Sequence, residues 1–252
     1  MTTQGDRPAP PHPAAPALAE AAAALDLQLT PLSAEARIAA ALSGAVPGPV
    51  ALVSSFGADA AVLLHMVAQI DRATPVLFLD TQMLFAETLS YQHRLAALLG
   101  LTDVRRLTPD PEALALEDPE GDLHQRGADA CCALRKTEPL ARALAPFGAS
   151  ITGRKRHQAA TRARMAVAET DHGGRLKLNP LADWTAAQLS AYRLKAGLPA
   201  HPLVARGYPS IGCAPCTTPV REGEDPRAGR WRGSEKTECG IHFLNGRLQR
   251  GE

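Results

Sequence analysis

No charge of one sign predominates in this 252-residue chain: 27 Lys and Arg stand against 26 Asp and Glu, a formal net charge of +1. That balance argues against a long phosphate backbone as partner, which calls for a broad cationic field, so no nucleic acid is expected. A local anion pocket can still lie within it, to be sought residue by residue. Long apolar runs are missing too. Nothing approaches the ~18 residues that a membrane-spanning helix needs, the longest candidates being short stretches such as PVLFL at 75–79, and no membrane partner is expected. The first 28 residues lack a basic region followed by an apolar block and a cleavage site, which reads against a secretory leader and for a cytoplasmic protein. Cysteine is scarce as well. Five is an odd number, two are adjacent and two form a C-x-x-C, unlike the framework of a secreted disulfide protein. In a reducing compartment such thiols remain free to bind metal or do chemistry.

What is present is enough for a real core: 45% of the residues are hydrophobic, at a length near the upper edge of one domain. Residues 1–28 are rich in Pro and Ala and read as a flexible lead, with Pro8, Pro10, Pro11, Pro13 and Pro16 breaking any helix. A helix is predicted from 34 to 42 with Ser33 as its N-cap. Strands are predicted at 50–55, 75–80, 103–107 and 149–152, and helices over 59–70, 85–99, 131–144 and within 185–196. An acidic stretch from 109 to 129 interrupts them. Strands alternating with helices argue for an α/β fold, a mostly parallel sheet covered on both faces. No internal repeat is visible. Beyond Pro199 the texture turns to Gly, Pro, Arg and Cys and reads as a functional tail rather than core. The expected divisions are a lead at 1–28, the α/β domain at 29–220 and a tail at 221–252.

Three groups of residues carry chemistry. The segment Ser54-Ser55-Phe56-Gly57-Ala58-Asp59 joins a predicted strand to a predicted helix, so its N–H groups can face an anion, although it lacks the G-K-[ST] of a Walker loop. An ordinary capped turn is the equal alternative. Leu79-Asp80-Thr81 falls at the same carboxyl edge of the sheet, where open α/β sheets bind ligands. Cys131-Cys132 and Cys213-Ala214-Pro215-Cys216 offer four thiolates from distant segments, which suits zinc or an iron–sulfur cluster. Neighbouring side chains on a helix diverge by about 100°, which a large cluster tolerates better than one ion, but residue types leave both open. Cys239 stands apart in Lys236-Thr237-Glu238-Cys239-Gly240-Ile241-His242. Its neighbours Lys236 and His242 could favour a thiolate, yet on its own it reads as an inert thiol. The third group is cationic: Arg135-Lys136, then Arg154, Lys155, Arg156 and Arg162, then Arg227 and Arg230. Most such charges belong to solvated faces. Those beside glycine, Gly153-Arg154 and Arg227-Ala228-Gly229-Arg230, are the better candidates.

Read together, SSFGAD (54–59), LDTQMLFAET (79–88), CCALRKTEPL (131–140), ITGRKRHQAATRA (151–163), KLNPLADWT (177–185), YPSIGCAPCTTPV (208–220), GEDPRAGRW (223–231) and KTECGIH (236–242) resemble the assimilatory adenylyl-sulfate reductase family, in order, over roughly residues 50 to 242. The resemblance implies an adenine nucleotide α-hydrolase-like fold, related to the ATP pyrophosphatases, with a mobile C-terminal catalytic tail. It implies that Ser54, Ser55 and Gly57 wrap the phosphosulfate of adenosine 5'-phosphosulfate, and that Cys131, Cys132, Cys213 and Cys216 hold one [4Fe–4S] cluster. Lys136, Arg227, Arg230 and His242 map to substrate-binding cations, with Gly153 and Arg162 near the nucleotide. Cys239 becomes the nucleophile, and thioredoxin or a similar dithiol protein the reductant, in sulfate assimilation toward cysteine. Assembly into a homo-oligomer is compatible with the sequence. Gln82, Ala86 and Ala159-Ala160 depart from the family pattern and touch the nucleotide pocket.

Two rivals stand beside this reading. A reductase of the 3'-phosphorylated nucleotide shares the loop and the KTECGIH tail, but such members generally lack the cluster cysteines. A zinc-bound RNA-modifying or RNA-binding protein on a pyrophosphatase-like domain gives Cys239 no task and draws no support from a near-neutral charge.

Overall fold

The computed structural model describes residues 15–171, 173–233, 236 and 238. Helix α1 (Ala15–Leu29) comes first and takes the place of the expected flexible lead from residue 15 onward; residues 1–14 of that lead lie outside the described residues. Pro16 sits in its first turn, where the missing N–H has no partner to lose. Leu18, Ala22, Leu25 and Leu29 then recur at helical spacing and are all buried. The Asp26 carboxylate accepts from the backbone N–H groups of Val167 (2.7 Å) and Ala168 (3.0 Å), tying the helix to the far edge of the sheet. Helix α2 (Ala34–Ala40) begins where expected, with the Ser33 hydroxyl accepting from the Ala36 N–H.

The sheet holds six strands: β1 (Val50–Ser54), β2 (Val76–Leu79), β3 (Val104–Leu107), β4 (Ala149–Thr152), β5 (Ala168–Thr170) and β6 (Leu176–Leu178). Their order is β3-β2-β1-β4-β6-β5, and every neighbouring pair is parallel except β5 with β6. Alternate residues feed two cores. Val50, Leu52, Val76 and Phe78 face one with α3 (Ala60–Ile70) and α4 (Ala86–Leu99). Ala51, Leu77 and Leu79 face the other with Leu140, Leu144 and Phe147. Side chains that alternate across a pleated strand make both faces apolar when both are covered, which is why these strands read as continuous hydrophobic runs. Each of these Val, Leu and Phe side chains, fully buried, contributes about 1.5–3 kcal/mol. The expected α/β class with helices on both faces therefore holds.

The acidic stretch after β3 folds into α5 (Pro111–Glu117) and α6 (Leu123–Arg126), followed by α7 (Ala128–Cys132), a π-helical turn (Ala133–Thr137) and α8 (Glu138–Leu144). Asp110 caps α5 by accepting from Glu112 and Ala113, the local chemistry of an acidic N-cap before proline. Helix α9 (Ala186–Lys195) opens on a reciprocal capping box between Thr185 and Gln188. Strands β5 and β6 are additional to the expected elements; three residues each is too short for a period to declare itself.

The segment after Pro199 is more than a tail. Leu203, Ile211, Cys213 and Trp231 are buried. The expected boundary at 220/221 falls inside a bonded pair of segments: Thr217 bridges Arg230, the Thr218 N–H donates to Gly229 O (2.8 Å) and the Trp231 N–H to Cys216 O (3.0 Å). Among the described residues, no helix is long and apolar enough to cross a membrane.

Gln82, one of the departures, has φ +58 and an exposed side chain, while its N–H donates to Asp80 Oδ1 at 2.9 Å. A left-handed backbone strains a residue with a Cβ by about 1–2 kcal/mol, partly offset by glycine's greater freedom in the unfolded chain. Gln82→Gly is expected to raise the thermal midpoint by about 1–3 °C. Calorimetry that found a lower midpoint would contradict the strain.

Candidate active site

Strand order reverses at β1, which sends β2 and β3 to one side and β4, β6 and β5 to the other. The loops leaving β1 and β4 thus flank the crevice at which open α/β sheets bind ligands. The β1 loop is Ser54 to Asp59. The buried Ser54 hydroxyl accepts from the Phe56 N–H (3.1 Å), and Phe56 turns its ring edge-on to Phe78 at 5.2 Å. Ser55 stays exposed. The Cys213 loop runs alongside, and a Cβ on Gly57 would make an ordinary contact with Ile211 O at 3.5 Å. Asp59 does not cap α3; its carboxylate takes the buried Lys155 Nζ at 2.9 Å, binding the β1 loop to the β4 loop. A Cβ on Gly153 would meet Leu63 of α3 at 3.6 Å.

The two cysteine pairs converge on one side of this crevice. Leu84 bridges Cys213, the Ala214 N–H donates to Met83 O (2.7 Å), and Thr81 Oγ1 lies 3.2 Å from Cys213 Sγ, so the loop after β2 carries the C-x-x-C. Cys132 and Cys216 both pack against Trp231. Burial pushes the Cys131 thiol up to about 11, and the nearby Cys213 and Cys216 push the same way against Arg135 and Lys136. Burial and Cys213 raise Cys216 likewise, opposed by Lys136, Arg230 and Lys236. Thiols that resist ionisation because they are buried, and secondarily because they stand near one another, are what a shared positive centre would relieve. Among the described residues, no three His, Cys, Asp or Glu groups stand as a metal ion requires. Four cysteine thiols brought to one side of the crevice are, by their chemistry, soft donors that suit a thiolate-held metal centre.

Lys136 and Arg135 lie on the π-helical turn, a rare geometry that recurs at functional sites. Arg135 turns away into structure, donating to Asp118 Oδ2 (Nε, 3.2 Å) and to Thr81 O (3.0 Å). Lys136 is buried on the cysteine side. Arg230 stacks on Trp231 at 4.4 Å, with Arg227 at 6.0 Å and Lys236 at 5.9 Å. Gly212 leaves room for this stack, since a Cβ there would fall 2.3 Å from the Arg230 guanidinium. Gly229 is the more constrained of the two: its Cβ would strike the backbone O of Thr218 at 2.1 Å, whereas at Gly212 the flexible Arg230 side chain could shift.

On the other side of Arg227 lies a buried cationic pocket that sequence reading had only begun to outline. Arg154, Arg162 and Lys177 are each more than nine-tenths buried. Arg154 pairs with Glu169, and its Nε reaches Asn179 Oδ1 at 3.3 Å. Burial and the neighbouring Arg162 pull Arg154 down to about 10; burial likewise brings Arg227 down to about 10. Arg162 makes a two-pronged pair with Glu238, Nε to Oε1 and Nη2 to Oε2, both 2.7 Å. Lys177 and Glu238 were not singled out beforehand. A lysine midway along an apolar three-residue strand, and one acid within a basic motif, were the available signals. Cys239 and His242 lie outside the described residues.

Burial, then Arg154, bring Lys177 down to about 7. A lysine that binds its proton more weakly when folded costs stability wherever it must stay charged. The cost is full below pH 7, fades as pH climbs, and is gone above its ordinary value near 10.5. Lys177→Met is therefore expected to stabilise the protein most at pH 6 and least at pH 10. Each tenfold in proton affinity is about 1.4 kcal/mol, which sets a ceiling of roughly 5 kcal/mol. Urea titrations at both pH values that gave the same gap would refute it.

Comparison with known proteins agrees with this geometry. Residues 49–219 match the family model described as the phosphoadenosine phosphosulfate reductase domain. The chain is 57% identical over 194 residues to the adenosine 5'-phosphosulfate reductase of Mesorhizobium japonicum, covering 77% of this chain and 76% of that one. It is 44% identical over 195 residues to the phosphoadenosine 5'-phosphosulfate reductase of Gloeobacter violaceus, covering 76% and 81%. The crystal structure of phosphoadenylyl-sulfate reductase from Candida auris superposes with a TM-score of 0.66 at 27% identity, over 78% of this chain and 96% of that one. By a family match over most of its length and by relatives this similar, the chain belongs to the phosphoadenosine phosphosulfate reductase domain family.

Proposed function

We propose that this protein reduces adenosine 5'-phosphosulfate to sulfite and AMP, with Cys239 as nucleophile. One observation carries the reading: four cysteines and a buried cationic pocket share the crevice edge of the sheet, joined by the paired segments 217–218 and 229–231, and the residue preceding Cys239 is inserted in that pocket. The Mesorhizobium relative's name supports the unphosphorylated substrate, as do the two cysteine pairs.

The chemistry needs no group beyond a thiol and a dithiol reductant. The Cys239 thiolate attacks the sulfur of the sulfo group, and the bond from that sulfur to the phosphate oxygen breaks. Its electron pair leaves with AMP, and Cys239 carries a thiosulfonate. A thiolate of thioredoxin or a similar protein then attacks Cys239 Sγ. Sulfite departs with the electron pair of the broken sulfur–sulfur bond, and the reductant's second thiol closes its own disulfide, returning Cys239. Lys136, Arg227, Arg230 and His242 stabilise charge growing on the departing phosphate, while Ser54, Ser55, Gly57, Gly153 and Arg162 hold the nucleotide. Cys131, Cys132, Cys213 and Cys216 hold one [4Fe–4S] cluster, which when bound shapes the field around Lys136 and the substrate. Free thiols with these tasks belong in the reducing cytoplasm. Family membership leaves the RNA-directed alternative without an observation in its favour.

The Gloeobacter relative carries the name of the rival substrate, so the nucleotide must be tested directly. Steady-state rates of sulfite release with each nucleotide are expected to favour adenosine 5'-phosphosulfate. A marked preference for the 3'-phosphorylated form would overturn the assignment.

A further inference from the structure

Two side chains of the segment before Cys239 reach back onto opposite walls of the site. Lys236 pairs with Asp129 on α7, one turn before the adjacent cysteines, and its Nζ lies 3.4 Å from Ala128 O. Glu238 enters the pocket beyond. It is buried, both of its oxygens are taken by Arg162 at 2.7 Å, Thr161 Oγ1 donates to it at 3.3 Å and Arg227 Nη2 stands at 3.5 Å. Arg162 is braced in turn by Gln158 Oε1 at 2.8 Å, the same glutamine whose amide reaches Asp59 of the β1 loop at 3.3 Å. Burial works against the Glu238 charge, but the hydrogen bonds and charge of Arg162, with Arg227 and Arg154, hold its carboxyl below the ordinary range. A two-pronged Arg–carboxylate pair fixes direction as well as distance.

We propose that Glu238 is the positioning residue of the nucleophile: its pair with Arg162 sets the register of the segment carrying Cys239 against the bound nucleotide. Consecutive Cα atoms are about 3.8 Å apart, so whatever fixes residue 238 limits where residue 239 can go. Arg162 thereby acquires a second task beyond the nucleotide contact expected from sequence. The alternative use of the same geometry is a plug, in which the carboxylate holds the pocket against an anionic substrate and must leave before binding. The two differ in sign. A pin that is removed slows the attack, whereas a plug that is removed speeds it or tightens substrate binding. The geometry favours a pin, because the carboxylate is held by the two-pronged pair with Arg162 and also by Thr161 and Arg227, all of which a plug would have to give up before the substrate could bind.

The inference rests on the reaction proposed above, and its test separates the two. In the full-length protein, Glu238→Gln removes the charge and Glu238→Asp keeps it while shortening the reach. Single turnover with adenosine 5'-phosphosulfate, followed by intact mass of the sulfonated protein, reads the attack. Addition of thioredoxin to protein already sulfonated reads the release. Attack is expected to slow by on the order of tenfold to a hundredfold in Glu238→Gln and less in Glu238→Asp, with release within about twofold of the parent, a split that general unfolding would not produce. Amide hydrogen exchange without nucleotide is expected to accelerate over 234–244 in Glu238→Gln and in Arg162→Gln alike. Unchanged attack with unchanged exchange, or faster attack, overturns the pin. A parent protein that never becomes sulfonated overturns the reaction instead, and the exchange comparison still judges the pin.

Discussion

Cys239→Ser is expected to abolish sulfite formation, lowering the rate by at least about a thousandfold, the scale on which removal of a covalent nucleophile is felt. Serine keeps the size and a hydrogen-bonding atom but cannot ionise near neutral pH, and it cannot carry a thiosulfonate that a dithiol would cleave by exchange. The variant should retain the absorbance and iron content of the parent, since the four cysteines assigned to metal lie elsewhere in the chain. It should also retain nucleotide binding, since the substitution leaves every proposed cation of the site in the chain. Incubation with adenosine 5'-phosphosulfate should leave its mass unchanged, where the parent gains a sulfo group. Sulfite release by Cys239→Ser at a rate comparable with the parent would remove Cys239 from the mechanism.

Cys213→Ser is expected to fail in the opposite order. Anaerobically purified protein should lose its brown colour and most of its iron, and activity should fall by at least about a hundredfold, since even outer-shell changes around a metal cost 10–100-fold. Cys213 is buried against Thr81 and bridges Leu84, so its removal takes a ligand from the middle of the site rather than from its rim. The free-thiol count and the iron content check the assignment without reference to turnover. A variant that kept a full complement of iron would exclude Cys213 as a ligand.

Much of the fold was legible because its strands are short, apolar and bounded. β1, β2, β3 and β4 fall within the predicted runs, and Ser33 caps α2 as its chemistry suggested. From residue 15 the expected lead is helical instead, because of the five prolines counted as helix breakers four precede Ala15 and the fifth occupies the first turn of α1. At the site, the family resemblance singled out Lys136, and motif spacing singled out the two cysteine pairs and the RAGR cations. It could not find Lys177 or the role of Glu238, since each acquires its meaning from a partner far away in sequence: Arg154 and Arg162 for the lysine, Arg162 for the glutamate. Arg135 looked like a cation of the site and is committed instead to Asp118 and the carbonyl of Thr81.

The close approach of Gly229 to Thr218 leaves the C-x-x-C segment and the Arg227–Arg230 segment as one mechanical part. The carbonyl of Cys216 is held by the amide of Trp231, whose ring in turn carries the Arg230 guanidinium. A perturbation that moves a proposed metal ligand therefore also moves a cation proposed to grip the substrate. Activity lost with the metal measures both displacements at once, so the rate defect of a ligand variant is an upper bound on what the metal itself contributes. Dividing that bound requires substrate affinity and iron content to be measured on the same preparation.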